Sequence, residues 1–185
     1  MGLGAECPGS VRAAATAGVP SVAIAYFKAP GLPGSLKAIS LEYFRDALEW
    51  LSGLQGVDPN RLVVMGISRG SEAALLTGVH FSGQVAAVVA LAPGNVVLGS
   101  WPPGGPAWTL NGSPLRFVSR FGPHSQIRDA LIPVESIKAP VALVGAGRDQ
   151  VWPSLAMARA LADRRRGRGS PAPGRSSPRV PVGRP

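Results

Sequence analysis

The stretch RLVVMGISRGSEAALLTG, residues 61–78, limits the possible folds more than any other part of this 185-residue chain. Residues 61–66 are apolar and β-branched, the composition of a buried strand. Residues 71–77 are rich in Ala and Leu and read as a helix, with Gly78 as a natural stop. Only Gly66-Ile67-Ser68-Arg69-Gly70 lies around the junction. A strand that turns this sharply into a helix is the building unit of an α/β sheet, not of a bundle or a sandwich.

The flanking segments continue the alternation. Residues 19–26 (VPSVAIAY), 85–92 and 140–145 (PVALVG) are short apolar runs and are predicted as strands. Residues 41–51 place Leu41, Phe44, Leu48 and Leu51 on one helical face, with Ser40 as the expected N-cap. Residues 154–163 are predicted as a last helix, capped by Ser154, and GVDPN, 56–60, as a turn. The expected fold is therefore α/β, with a mostly parallel sheet flanked by helices. Residues 1–163 are read as one partial domain. Within it, residues 94–138 show little periodicity and read as a lid-like insertion.

Composition removes several classes. Hydrophobic residues make up 45% of the chain, a globular value. No apolar run approaches the roughly 20 residues a membrane span requires, so no span is expected. The single cysteine, Cys7, permits neither an internal disulfide nor a Cys-rich metal site. No metal and no cofactor are expected. The first residues lack a basic segment followed by an apolar one, so the expected location is cytoplasmic. The net charge of +9 is concentrated: seven arginines and no acidic residue fall in 164–185, leaving +2 for 1–163. That Arg/Pro-rich tail is expected to be disordered. Clustered arginines can neutralise phosphates, but the tail has no aromatic residue for stacking bases. A GC-rich gene read out of frame gives the same composition, and no nucleic-acid partner is expected.

The chemistry centres on Ser68. At the tip of a strand–turn–helix the hydroxyl stands clear of the sheet, and the next amide, that of Arg69, opens a helix and is placed to bind an oxyanion. Asp149 follows the strand at 140–145 and comes after Ser68 in chain order, as the acid of a triad would. A base is harder to find. His80 lies 12 residues along the helix from Ser68, about 18 Å away at 1.5 Å per residue. His124 belongs to the insertion and reads as a solvated loop histidine.

Several motifs in the same order resemble one family. They are Ala25-Tyr26-Phe27 with Leu32-Pro33, LEYFRDALEWL (41–51), VVMGISRGSEAAL (63–75), GSPLRFV (112–118), IPVESIKAPVALV (132–144) and DQVWPS (149–154). Together they resemble the C-terminal catalytic domain of the acyl-CoA thioester hydrolase and bile acid-CoA:amino acid N-acyltransferase family, within the α/β-hydrolases. By that resemblance Ser68 matches the nucleophile and Asp149 the acid, although Arg148 stands where the family often has a second acidic residue. GAECPGS (4–10) resembles the end of the loop that gives the second oxyanion donor, which assigns that amide to Glu6. The family's histidine motif has no counterpart, and the domain is expected to be truncated at both ends. The resemblance implies an acyl-CoA or simple ester substrate, with activity impaired by the missing histidine. Trp101, Trp108, Leu115 and Phe117 would offer the acyl chain apolar surface. The alternatives are a carboxylesterase or dienelactone-hydrolase-like enzyme, or a non-catalytic truncated remnant.

Overall fold

The computed structural model describes residues 14–119 and 128–167. Three parallel strands form the main sheet: β2 (Val63–Ile67), β3 (Ala87–Leu91) and β6 (Val141–Val144), in the order β2-β3-β6. Register is continuous across it. Ile67, Leu91 and Val144 lie in one row at the C-terminal end. A second, smaller sheet joins β1 (Ile39–Ser40) in parallel to β4 (Trp108–Leu110), which pairs antiparallel with β5 (Ser113–Pro114). The α/β order expected from the sequence is present, but the strands divide between two sheets rather than filling one.

Three longer helices among the described residues accompany the strands: α1 (Glu42–Ser52), α2 (Arg69–His80) and α3 (Ser154–Gly167). The apolar face of α1 buries Phe44 and Leu48, as its periodicity requires. Ser40 acts near the start of this helix: the Glu42 amide donates to its hydroxyl at 3.2 Å, although Leu41 occupies the cap position. Asp58 caps a short 3₁₀ turn by accepting from the Asn60 amide at 2.9 Å.

Helix α2 is longer than the sequence suggests. Gly78 does not stop it, and it continues to His80. A Cβ at Gly78 would lie 2.7 Å from Val88 Cγ2 and 3.3 Å from Ile137 Cδ1. Glycine is therefore used here for close helix–sheet packing, not for a left-handed cap.

The predicted strand at 19–26 does not form; the segment is irregular and pairs with no strand. Val19 and Val22 are exposed, while Tyr26 and Phe27 turn inward and join Phe44 and Trp108 in an aromatic cluster. An apolar run becomes a strand only where a sheet edge receives it, and among the described residues β2 pairs only with β3. One face of the main sheet is exposed. Val63, Met65 and Ile67 keep 56%, 49% and 49% of their surface, and Val144 keeps 55%. Helix α2 covers the opposite face, where Val88, Ala90 and Val141 are buried. Among the described residues, helices thus flank one face of the main sheet and not both.

The described residues of 94–138 are packed into the fold. Ala107, Trp108, Ile132, Val134 and Ile137 are fully buried members of the main core, and Leu115 and Phe117 pack against it. Only Trp101 of the four expected acyl-contacting residues is exposed.

The expected boundary after Asp163 also moves. Arg164, Arg165 and Arg166 belong to α3. Arg165 is 4% exposed, and its guanidinium donates to the carbonyls of Val134 (2.8 Å), Ile137 (3.0 Å) and Ala139 (3.0 Å). Arg164 donates to the Ile132 carbonyl and pairs with Glu135 at 2.6 Å. The irregular chain at 132–139 leaves carbonyls outside any ladder, and buried carbonyls need donors. Residues 168–185 of the tail lie outside the described residues.

Arg165→Ala is therefore expected to cost about 1.5–3 kcal/mol, the scale of hydrogen bonds to a charged group. Urea unfolding checks this, and a loss below about 0.5 kcal/mol, typical of a surface position, would contradict it.

Candidate active site

The turn between β2 and α2 is built on the close approach of Gly66 to the backbone of Gly70. A Cβ on Gly66 would sit 1.9 Å from the Gly70 carbonyl oxygen, so only glycine allows the chain to fold back this tightly. Between them Ser68 has φ 55° and ψ −122°, a region that L side chains avoid. Such strain persists only where the surroundings fix it. Three hydrogen bonds do so: the Ser68 amide donates to the Leu91 carbonyl (2.9 Å), and the Ser71 amide (3.0 Å) and hydroxyl (2.6 Å) donate to the Ser68 carbonyl. The Arg69 amide opens the helix with no carbonyl one turn back to bond, and the positive end of the helix dipole lies at the serine. Ser68 thus sits at the strand–helix turn, and Arg69 is the first residue of α2.

Asp149 lies on the loop after β6, at the same end of the sheet as Ser68. One strand, β3, separates β2 from β6, a spacing of roughly 10 Å between them. Trp152 fastens this loop to the end of β3, its indole N–H donating to the Ala92 carbonyl at 3.2 Å. Asp149 accepts the amides of Val151 (2.9 Å) and Trp152 (3.3 Å) and so shapes the turn into α3. The Ser154 hydroxyl, followed by the Val151 and Trp152 amides, holds its carboxyl below the usual carboxylate range. Asp149 is ionised at neutral pH.

His80, the one histidine among the described residues, is the last residue of α2. It lies at the opposite end of the helix that begins beside Ser68, as the spacing requires. Glu6 and His124 lie outside the described residues. Among the described residues no cluster of three His, Cys, Asp or Glu side chains could hold a metal ion, and no helix is long and apolar enough to cross a membrane.

One charged residue escaped the sequence reading. Glu72, one turn into α2, is 2% exposed. Its Oε2 pairs with Arg69 Nη1 at 2.7 Å, and its Oε1 accepts the Leu98 amide (2.9 Å) and the Trp108 indole N–H (2.7 Å). Arg69 in turn donates from Nη2 to the carbonyls of Leu98 (3.1 Å) and Gly99 (3.0 Å) and lies 5.9 Å from the Trp108 ring centroid. Burial pushes the Glu72 carboxyl up to about 7, against the opposing pull of Arg69, the Leu98 amide and the Trp108 indole. A glutamate among apolar residues at 71–78 was the available signal, since a charge on a helix face that is otherwise buried needs a partner.

Residues 39–101 match the family described as BAAT / Acyl-CoA thioester hydrolase C terminal, about a third of the chain. The match runs from β1 to Trp101 and includes Ser68, Arg69 and Glu72; Asp149 lies beyond it. The resemblance read from the motifs is upheld over these residues, and it supports a relationship to acyl-CoA thioester hydrolases and acyltransferases. No curated protein matches the chain.

Two outcomes follow from this geometry. Gly66→Ala should cost about 3 kcal/mol or more, because the new methyl group meets backbone rather than a movable side chain; a wild-type thermal midpoint in that variant would refute the close approach. Glu72 ionises in the folded state near 7, above its ordinary 4.5. The stability it contributes is therefore complete below about 4.5 and is lost as pH rises through about 7. Relative to Glu72→Gln, the wild type should gain stability as pH falls over that window. A wild-type-minus-variant difference that stays flat from pH 7 to pH 5 would contradict the assignment.

Proposed function

We propose that Ser68 is the nucleophile of an acyl-transfer site acting on acyl-CoA thioesters. The observation that carries this reading is the strained turn at Ser68, closed by Gly66 and Gly70, at the C-terminal end of β2 and the N-terminus of α2. The family match over 39–101 supports the thioester class. In this reading the Ser68 hydroxyl attacks the thioester carbonyl. The Arg69 amide, with that of Glu6 as the second donor, stabilises the tetrahedral oxyanion. The CoA thiolate leaves, and water, or an amine in a transferase, takes the acyl group from the serine. Asp149 is the carboxylate that orients the base.

The base is the part for which the described residues offer no candidate, because His80 is about 18 Å from Ser68. A serine without its histidine typically loses on the order of a millionfold in turnover, while oxyanion and binding effects retain a residue of the rate. The test accordingly supplies the base from solution. The protein is incubated with a medium-chain acyl-CoA in the presence and absence of imidazole, and the products are followed by intact mass and peptide mapping. The expected result is an acyl adduct on the peptide carrying Ser68, faster with imidazole, absent in Ser68→Ala and unchanged in His80→Ala. Thiol release that proceeds equally in Ser68→Ala would refute the assignment. A simple ester run in parallel distinguishes thioester preference from general esterase character.

A further inference from the structure

The Arg69–Glu72 pair is an expensive object to bury. Arg69 keeps 14% of its side-chain surface and Glu72 keeps 2%. The Arg69 Nε is buried with no hydrogen-bond partner. Two charges removed from water recover their desolvation cost only in part through their attraction, and well-packed apolar residues of the same volume often serve stability as well or better. Stability alone therefore does not explain this pair. Its geometry suggests another role. Arg69 is the residue whose amide follows Ser68, and its side chain reaches away from the helix to grip the carbonyls of both Leu98 and Gly99. Glu72 grips the same segment from the other side, through the Leu98 amide, and holds Trp108 behind it. One strained backbone turn and one distant irregular segment are thus fixed to a common pair of charges.

We propose that Arg69 and Glu72 are positioning residues, which hold the 98–99 segment against the nucleophile turn so that Ser68 and the Arg69 amide keep one orientation toward an acyl group. The proposal rests on the acyl-transfer reading of Ser68 and deepens it. The titratable and charged groups facing Glu72 are Arg69, on the same helix, and, through Arg69, Tyr26 on the segment before α1. Trp108 and Leu98 contribute only neutral donors. The upward shift of the Glu72 carboxyl agrees with a carboxylate enclosed on every side.

The test separates positioning from support. In Arg69→Met/Glu72→Leu both charges become apolar groups of similar size, so the folded state is retained if the pair is only structural packing. Ser68 acylation by acyl-CoA with imidazole is then compared at equal thermal midpoint. A fall of tenfold or more supports positioning, and an unchanged rate overturns it. If the wild type itself shows no Ser68-dependent acylation, the functional reading fails, and amide exchange at Gly99 and Ser100 decides the positioning instead. Those amides bond to Val118 and Gly105, not to the pair. Exchange at least tenfold faster in the double variant supports the proposal, and equal exchange overturns it. Should the double variant not fold, Glu72→Gln, which keeps the side-chain shape, replaces it in the same comparisons.

Discussion

The closeness of Gly66 to Gly70 is the constraint from which the rest of this site follows. The ideal Cβ position on Gly66 falls 1.9 Å from the Gly70 oxygen, so the strand and helix can meet at this angle only if residue 66 carries no side chain. The meeting forces Ser68 into positive φ. At that positive φ, Ser68 stands between the C-terminal end of β2 and the first residue of α2. The register of β2, β3 and β6 then decides what can stand beside it. Their last residues share a row, so whatever follows β6 emerges at the same end as Ser68.

A turn of this kind holds only if its surroundings resist relaxation, and here part of that resistance comes from outside the β2–α2 unit. The segment 94–138 supplies Trp108, the largest fully buried side chain, and presents Leu98 and Gly99 to Arg69. A lid can open only if its contacts are few and wet. This segment contributes to the main core and encloses a buried carboxylate, which ties its described residues to the turn at Ser68. Over its described residues, the irregular sequence of 94–138 reflects a chain held by side-chain and single-bridge contacts.

What could be read from the sequence divides along physical lines. The strands at 63–67, 87–91 and 141–144 were legible because a buried parallel strand writes a continuous apolar run, and Ser68 was legible because glycine spacing reports backbone geometry directly. The segment 19–26 carries the same apolar signature without forming a strand, since pairing is a property of two segments and a run of Val, Ile and Ala records only one. Gly78 was misread for a related reason: glycine serves both a cap and a close packing contact, and only the position of Val88 distinguishes them. Arg165 was grouped with a basic tail because composition counts charge and is blind to the carbonyls at 134, 137 and 139 that lie outside any sheet ladder. Glu72 was overlooked because its partners lie 26 and 36 residues away.

The structural role of Asp149 is compatible with the catalytic one proposed for it. Its hydrogen bonds to Val151, Trp152 and Ser154 are those of a residue shaping a turn, and on their own they explain its presence. The same bonds hold its carboxyl below the usual range, so the group remains charged across neutral pH. A triad acid requires that charge and a fixed direction, because it works by orienting an imidazole and stabilising its protonated form. The indole of Trp152, bonded to Ala92 at the end of β3, fixes the direction by fastening the Asp149 loop beside the strand that separates it from Ser68. On the proposed reading, the turn that starts α3 therefore prepares the carboxylate before any base arrives, and the base is the component that this half of the arrangement still requires.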